Sequence, residues 1–191
     1  MKRIIGITGP SGAGKSTVSE HFKKVGAHII DADVVARNVV LPGKPALKEI
    51  EKEWPEAVSQ GNLDRKVMAQ IAFGSETELH KLNSITHKYI ISEIKDEIEK
   101  SDSTVFVVDA IALFESELIS LCDVTIAVSA DKATRISRIM ARDNLTRKEA
   151  ERRINAQKND EFYKERADFT VVNDEADIAN EKIGQIIKEI L

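Results

Sequence analysis

Short apolar runs recur along the chain, with amphipathic stretches between them. Residues 3–8, 27–30, 104–108, 124–128 and 169–172 are such runs, and each reads as a buried strand. The run 104–108, Thr-Val-Phe-Val-Val, is the clearest, because β-branched and aromatic side chains suit a pleated, buried surface. Between the runs the apolar period is helical. Val18, Phe22 and Val25 line one face of a helix over 16–25. Ala133, Ile136, Ile139 and Met140 line a second, and Ala179, Ile183, Ile186, Ile187 and Ile190 mark the closing helix. Strands that are apolar on both faces need cover on both. The pattern therefore predicts an α/β fold with a parallel five-stranded sheet flanked by helices.

Two stretches depart from this alternation. Residues 38–100 lack a good strand and read as helices. Leu79, Leu82, Tyr89, Ile94 and Ile98 mark the longest, with a break expected near Thr86. Pro42-Gly43 and Trp54-Pro55 mark turns within the segment. Residues 143–166 are polar, helical and rich in arginine. The expected organisation is a core of 1–37 and 101–191, a helical insertion over 38–100, and a helical lid over about 138–166.

Composition narrows the partners. Apolar residues make up 42% and charged residues 31%, enough to bury a core. Lys and Arg total 28 against 32 Asp and Glu, a net charge of −4, which argues against a general nucleic-acid coat. The longest apolar stretch is interrupted by Asp109, too short to span a membrane. The apolar start runs directly into a glycine-rich turn, so it reads as a strand and not as a leader. The single cysteine, Cys122, excludes an internal disulfide and a cysteine-rich zinc site. These features predict a cytoplasmic chain with no nucleic-acid or membrane partner, a monomer or weak homo-oligomer.

The strongest chemical signal is Gly9-Pro-Ser11-Gly12-Ala13-Gly14-Lys15-Ser16-Thr17, a G-x-x-x-x-G-K-[ST] loop between an apolar run and an amphipathic helix. Its glycines let backbone N–H groups curl around phosphate oxygens. Lys15 adds charge for the outer phosphates, the Ser16 hydroxyl can ligate magnesium, and the helix N-terminus faces the anion. This loop specifies a P-loop NTPase-type core and a nucleoside triphosphate, without choosing among kinase, ATPase and GTPase. The guanine-reading N-K-x-D string is absent, the nearest being Lys158-Asn159-Asp160.

Carboxylates and arginines surround that signal. Asp31-Ala-Asp33-Val-Val-Ala-Arg37 follows the second strand, where open α/β sheets bind ligands. Asp33 there could accept the proton of an attacking hydroxyl, with Arg37 four residues on to hold an anionic substrate. Equally, Asp31 or Asp33 could cap a helix and Arg37 could be a solvated ion-pair partner. Val105-Phe-Val-Val-Asp109 has the form of a Walker B strand, placing Asp109 near magnesium directly or through water, or it is an ordinary strand-ending turn. Arg135, Arg138 and Arg142 share one helical face, and Arg147, Arg152 and Arg153 follow. They read either as solvated surface, with Asp131 pairing Arg135, or as a lid that stabilises phosphoryl charge, with Arg138 and Arg142 foremost. His21, His28 and His80 read as structural or solvated, Trp54 as insertion core and Cys122 as a small buried hydrophobe.

Taken together, the residues resemble the dephospho-coenzyme A kinase family along nearly the whole chain. The resemblance rests on the phosphate loop, the Asp31-Ala-Asp33-x-x-Ala-Arg37 block, Leu113-Phe114-Glu115, Arg138-x-x-x-Arg142-Asp143, Arg153-Ile-x-Ala-Gln157 and Ala167-Asp168-Phe169. It implies transfer of the ATP γ-phosphoryl group to the ribose 3′-hydroxyl of dephospho-coenzyme A, with Mg2+. It further implies Asp33 as base, with Lys15 and Arg142 also catalytic and Arg142 in the lid. Arg37, His87, Leu113 and Phe114 would lie on the acceptor side, within reach of a helical insertion that holds the acceptor. Three positions depart from the family pattern. Lys88 follows His87 where the family has proline, Ile111 stands within Asp109-Ala-Ile-Ala-Leu113 where the family has proline, and Glu175 replaces a late glycine. A different small-molecule kinase, or a nucleotide-binding module without transfer activity, are the competing readings.

Overall fold

The computed structural model describes residues 2–191. They pack as two units, one formed by residues 2–30 with Ser103–Leu191 and the other by Asp31–Asp102.

The first unit carries a five-stranded sheet. Its strands are β1 (Arg3–Thr8), β2 (His28–Asp31), β5 (Val105–Asp109), β6 (Val124–Ser129) and β7 (Phe169–Val172). Their order across the sheet is β2-β5-β1-β6-β7. β1 runs parallel to β5, with Ile7 opposite Asp109, and parallel to β6, with Thr8 opposite Ala127; β6 and β7 are also parallel. The five sequence runs thus all became strands. The chain leaves β1 in one direction and later crosses to its other side, so the carboxyl end of β1 lies where the strand order reverses, the usual ligand position in such sheets.

Helices α1 (Lys15–Lys24) and α9 (Ala176–Ile190) cover one face. Val18 and Phe22 of α1 and Ala179, Ile183, Ile186 and Ile190 of α9 pack into one cluster with Ile5, Ile7, Val107, Ile126, Val128 and Val171 of the sheet. Removing a large member, such as Ile183→Ala, costs about 2–5 kcal/mol in a core of this kind. Val25 does not join them. The helix closes at Lys24, Gly26 turns the chain with φ +93°, and Val25 is left 52% exposed at the helix end. On the opposite face, Gly6 leaves room for packing: a Cβ there would lie 2.7 Å from Leu113 Cδ2 and 2.8 Å from Cys122 Sγ, so those side chains would have to shift. Between β6 and β7 lie α6 (Lys132–Asp143), α7 (Arg147–Asn155) and α8 (Asp160–Lys164). Ile136 and Ile139 of α6 pack with Ala150 and Ile154 of α7 in a small cluster of their own.

The second unit holds α2 (Ala32–Asn38), α3 (Pro45–Glu53), α4 (Arg65–Gly74) and α5 (Glu76–Lys100). Three of its details differ from the sequence reading. α5 is one continuous helix of 25 residues with no break near Thr86. The residue after His87 is Lys88, which keeps a backbone donor, and Thr86 Oγ1 folds back onto the carbonyls of Leu82 and Asn83. Lys88 also donates to Glu49 Oε2 at 2.6 Å, and Tyr89 donates to Glu49 Oε1 at 2.5 Å, fixing α5 to α3. These bonds lower the Glu49 carboxyl pKa and raise those of Lys88 and Tyr89. The segment also contains a short antiparallel hairpin, β3 (Val58–Ser59) with β4 (Asn62–Leu63). Gln60 and Gly61 form its turn, both with positive φ, the geometry of the tight turns that suit a hairpin twist. Finally, α2 packs within this unit, so Asp33 and Arg37 belong to it and not to the core range that ended at residue 37. Trp54 is buried as expected, its Nε1 donating to Glu78 Oε2 at 2.5 Å.

Candidate active site

The loop from Gly9 to Thr17 joins β1 to α1 and is shaped by backbone constraints. Gly9, Gly12 and Gly14 have φ of +137°, +81° and +98°. A Cβ at Gly9 would lie 2.1 Å from Val128 O, one at Gly12 2.7 Å from Arg135 O, and one at Gly14 1.9 Å from Asn173 Nδ2. Conformation and space therefore both demand glycine.

The surrounding side chains hold the loop by its carbonyls. Arg135 Nε donates to Ser11 O at 3.1 Å. Arg138 Nη1 donates to Gly12 O and Ala13 O, each at 3.4 Å, and its Nη2 donates to Asn173 O at 2.8 Å. Asn173 Nδ2 donates to Ala13 O at 3.0 Å, and Lys15 Nζ donates to Gly9 O at 3.2 Å. The N–H groups of Gly12, Gly14 and Ser16 engage no protein acceptor among the described residues. A loop whose carbonyls are tied back and in which these three amides stay open, leading into a helix N-terminus, is built for an anion. Ser16 and Thr17, at the start of α1, are exposed.

Asp109 ends β5 opposite Ile7, two residues before the loop begins. Ser19 Oγ lies 3.1 Å from its Oδ2 and 3.1 Å from Lys15 O, so a hydroxyl on α1 steadies the carboxylate. Ser16 and Asp109 supply hard oxygen donors of the kind magnesium takes when phosphates complete its shell. Among the described residues no cluster of three or more His, Cys, Asp and Glu side chains could cage a metal unaided. The donor set fits a nucleotide-borne magnesium and not a dedicated metal cage.

The arginines separate into different roles. Arg135 is 5% exposed, and it pairs with Asp160 Oδ1 at 3.1 Å in addition to holding Ser11. Burial lowers its pKa and the Asp160 charge opposes that shift. The Asp131–Arg135 pair of the solvated-surface alternative does not form among the described residues, because Asp131 caps α6, accepting from Thr134 N at 2.9 Å and from the Thr134 hydroxyl. Arg138 is half-buried behind the loop. Arg142 is exposed and grips Asp143 at two points, Nε to Oδ1 at 2.8 Å and Nη2 to Oδ2 at 2.9 Å, while Arg153 bonds the same carboxylate. These partners, Arg142 first, hold the Asp143 carboxyl down at about 2.

In the second unit, Asp31 is the N-cap of α2, its Oδ1 accepting from Val34 N at 3.0 Å. Asp33 is exposed in the first turn and Arg37 is exposed in the last. No ion pair joins them among the described residues. The helix-cap reading of the block is therefore met by Asp31, which leaves Asp33 out of the cap, and Arg37 is not paired with Asp33. His87 is half-buried on α5. Leu113 is fully buried, packed where a Cβ on Gly6 would sit, so it supports β1 and offers no surface to an acceptor. Phe114, half-buried, lies edge-on to Phe162 at 6.5 Å between centroids, and Arg166 sits 4.1 Å over the Phe162 ring.

Two residues of this region carried no role in the sequence reading. Asp168 Oδ2 accepts from Thr125 N at 2.8 Å and from Thr125 Oγ1 at 2.7 Å, pinning the entry of β7 to β6. Gln157 bonds Ser11 twice, through Ser11 N to Oε1 at 3.0 Å and through Nε2 to Ser11 Oγ at 2.9 Å. The Ala-Gln string was the available signal for Gln157, but spacing alone gives no partner 146 residues away.

The sheet order, the tied-back glycine loop and the carboxylate beside it define a P-loop kinase core. A likeness at the level of fold alone extends to a shikimate kinase from Bacteroides thetaiotaomicron, with TM-score 0.56 and 14% identity over 98% of this chain and 97% of that one. Residues 3–179 match the family model described as dephospho-CoA kinase, and the chain belongs to that family. A dephospho-CoA kinase from Listeria monocytogenes is 38% identical over 181 residues, 92% of this chain and 90% of that protein. One from Moorella thermoacetica is 41% identical over 160 residues, 81% and 76% of the two chains. Among solved structures, the dephospho-CoA kinase of Campylobacter jejuni aligns over 100% of this chain and 98% of its own, with TM-score 0.67 and 26% identity.

Proposed function

We propose that this chain transfers the γ-phosphoryl group of ATP to the ribose 3′-hydroxyl of dephospho-coenzyme A, the last step in making coenzyme A. The observation that carries the reading is the loop itself, with carbonyls bonded outward and the Gly12, Gly14 and Ser16 amides left open, in a chain of this family. Phosphoryl transfer asks the protein for position and charge more than for covalent chemistry. Gly12, Gly14 and Ser16 would donate backbone N–H groups to the phosphates, and Lys15 would balance their charge. Arg138 and Asn173 would hold the loop from behind.

Asp33 is the proposed base. With the cap assigned to Asp31, its carboxylate is available to accept the hydroxyl proton as the acceptor oxygen attacks. Arg37 and His87 would hold the anionic acceptor, and Phe114 would give it an apolar contact. Arg142 now spends its guanidinium on Asp143, so serving the transferring group would exchange one anion for another. Ser16 and Asp109 would hold magnesium together with the nucleotide. When bound, the ion neutralises phosphate charge. No described helix is long and apolar enough to cross a membrane. We infer a cytoplasmic enzyme acting without nucleic-acid or membrane partners, as a monomer or weak homo-oligomer.

Replacing Asp33 tests the assignment. In Asp33→Asn, transfer to dephospho-coenzyme A is expected to fall by at least ~10²-fold, the low end for a lost general base, while ADP affinity holds. Unchanged turnover would remove Asp33 from the mechanism. Offering shikimate and simple nucleosides as acceptors separates this reading from that of another small-molecule kinase.

A further inference from the structure

The apex of the phosphate loop is held by the segment between β6 and β7, and Gln157 makes the most specific of those bonds. Gln157 lies in the short link between α7 and α8. Its amide meets Ser11 at both ends, with Ser11 N donating to Oε1 at 3.0 Å and Nε2 donating to Ser11 Oγ at 2.9 Å. The orientation of the amide is forced, because a backbone N–H can only donate and must therefore face the oxygen end. Ser11 is itself buried, and its remaining polar group, the carbonyl, is held by Arg135 Nε at 3.1 Å. Arg135 continues to Asp160 at the start of α8. Every polar group of Ser11 is thus engaged by a side chain of this one segment.

We propose that Gln157 is a positioning residue for the nucleotide site: its amide clasps the loop apex, so that the loop is formed before nucleotide arrives. The proposal rests on the reading that this loop binds the phosphates of ATP. Three glycines with positive φ make the loop adaptable, and an adaptable loop must be ordered at the expense of affinity. The clasp supplies that order in advance. Asparagine cannot replace it, because one methylene fewer withdraws the amide from at least one of its two contacts. The clasp touches the nucleotide loop alone, so its loss falls on nucleotide and spares the acceptor.

The test compares Gln157→Ala, Gln157→Asn, Ser11→Ala and the Gln157→Ala/Ser11→Ala double variant by calorimetric titration with ADP and by steady-state kinetics. Two neutral hydrogen bonds of ordinary strength correspond to an ADP affinity loss of about 5–150-fold in Gln157→Ala. The KM for the acceptor and kcat at saturating ATP should stay within about 3-fold, as for a loss of binding shared by ground and transition states. Ser11→Ala keeps the backbone bond and should lose less, and the double variant should be no weaker than Gln157→Ala alone. Wild-type ADP affinity in both Gln157 variants would overturn the proposal. So would additive losses in the double variant, or a loss that falls equally on the acceptor. Ser11→Ala, which alters only a hydroxyl, keeps the cycle informative if Gln157→Ala folds poorly, since an unchanged ADP affinity there also counts against the clasp. Failure of the loop reading looks different: wild type and Lys15→Ala would then bind ADP equally well, or neither would bind it.

Discussion

Removing the carboxylate of Asp160 should destabilise the protein through a residue that touches neither end of the chain. Arg135 has a side chain only 6% exposed, and its paired Asp160 is 22% exposed. The guanidinium bonds Asp160 Oδ1 and Ser11 O, and its Nη2 is buried without a partner among the described residues. Arg135 cannot shed its charge, because guanidinium stays protonated in proteins. In Asp160→Ala the cation stays buried with a single acceptor. Breaking a buried pair in this way costs about 3–5 kcal/mol. Water reaches part of Asp160, which moves the expectation to about 2–3 kcal/mol. For a chain of this size that is a fall in Tm of about 5–10 °C. Asn159, and not Asp160, caps α8, so lost capping does not confound the reading. Urea denaturation of Asp160→Ala, Arg135→Met and the double variant reads the effect. The double variant should recover most of the loss, because it removes the stranded charge. An Asp160→Ala stability within about 0.5 kcal/mol of wild type, or a double variant worse than either single one, would refute the reasoning.

Other outcomes follow from the titrating groups. Burial first, and the neighbouring Asp123 charge second, push the Cys122 thiol up to about 12. Iodoacetamide at pH 8 should therefore label this sole cysteine about 10³-fold more slowly in the native than in the unfolded chain, and similar rates would contradict the burial argument. The Asp143 carboxyl, held near 2 by Arg142 and Arg153, has a depressed folded pKa. Its contribution to stability is present above about pH 4, where the unfolded group is ionised, and is lost as pH falls through 2. Acid unfolding of Asp143→Asn against wild type should show a gap that is constant above about pH 4 and closes towards pH 2. A gap that closes near neutral pH would point to another group.

What the sequence disclosed depended on how local the governing physics was. The five strands were legible because buried parallel strands are written as unbroken apolar runs. The loop was legible because its glycines answer to its own backbone. Val25 falls outside the buried face its spacing predicts, because helical spacing does not say where Gly26 ends the helix. The Val58–Leu63 hairpin is not legible in the sequence because its strands are only two residues each and Gln-Gly is a weaker turn signal than Asn-Gly. Arg135 shares a face with Ile139, four residues on, and that spacing was the one local hint that it is buried among apolar neighbours. Leu113 and Gln157 each answer to a distant partner, Gly6 and Ser11, which periodicity cannot supply. The choice between Asp31 and Asp33 as cap was a matter of one hydrogen bond, and the fold made it.

The most direct measurement is product identification after incubation with dephospho-coenzyme A and magnesium ATP. Phosphorus NMR and mass spectrometry of the acceptor would report where the phosphoryl group went. The account predicts one ADP for each acceptor molecule converted, with the new phosphomonoester on the ribose 3′-oxygen, and loss of both in Asp33→Asn. ADP release that does not depend on the acceptor, or a phosphoryl group on any other oxygen, would contradict it.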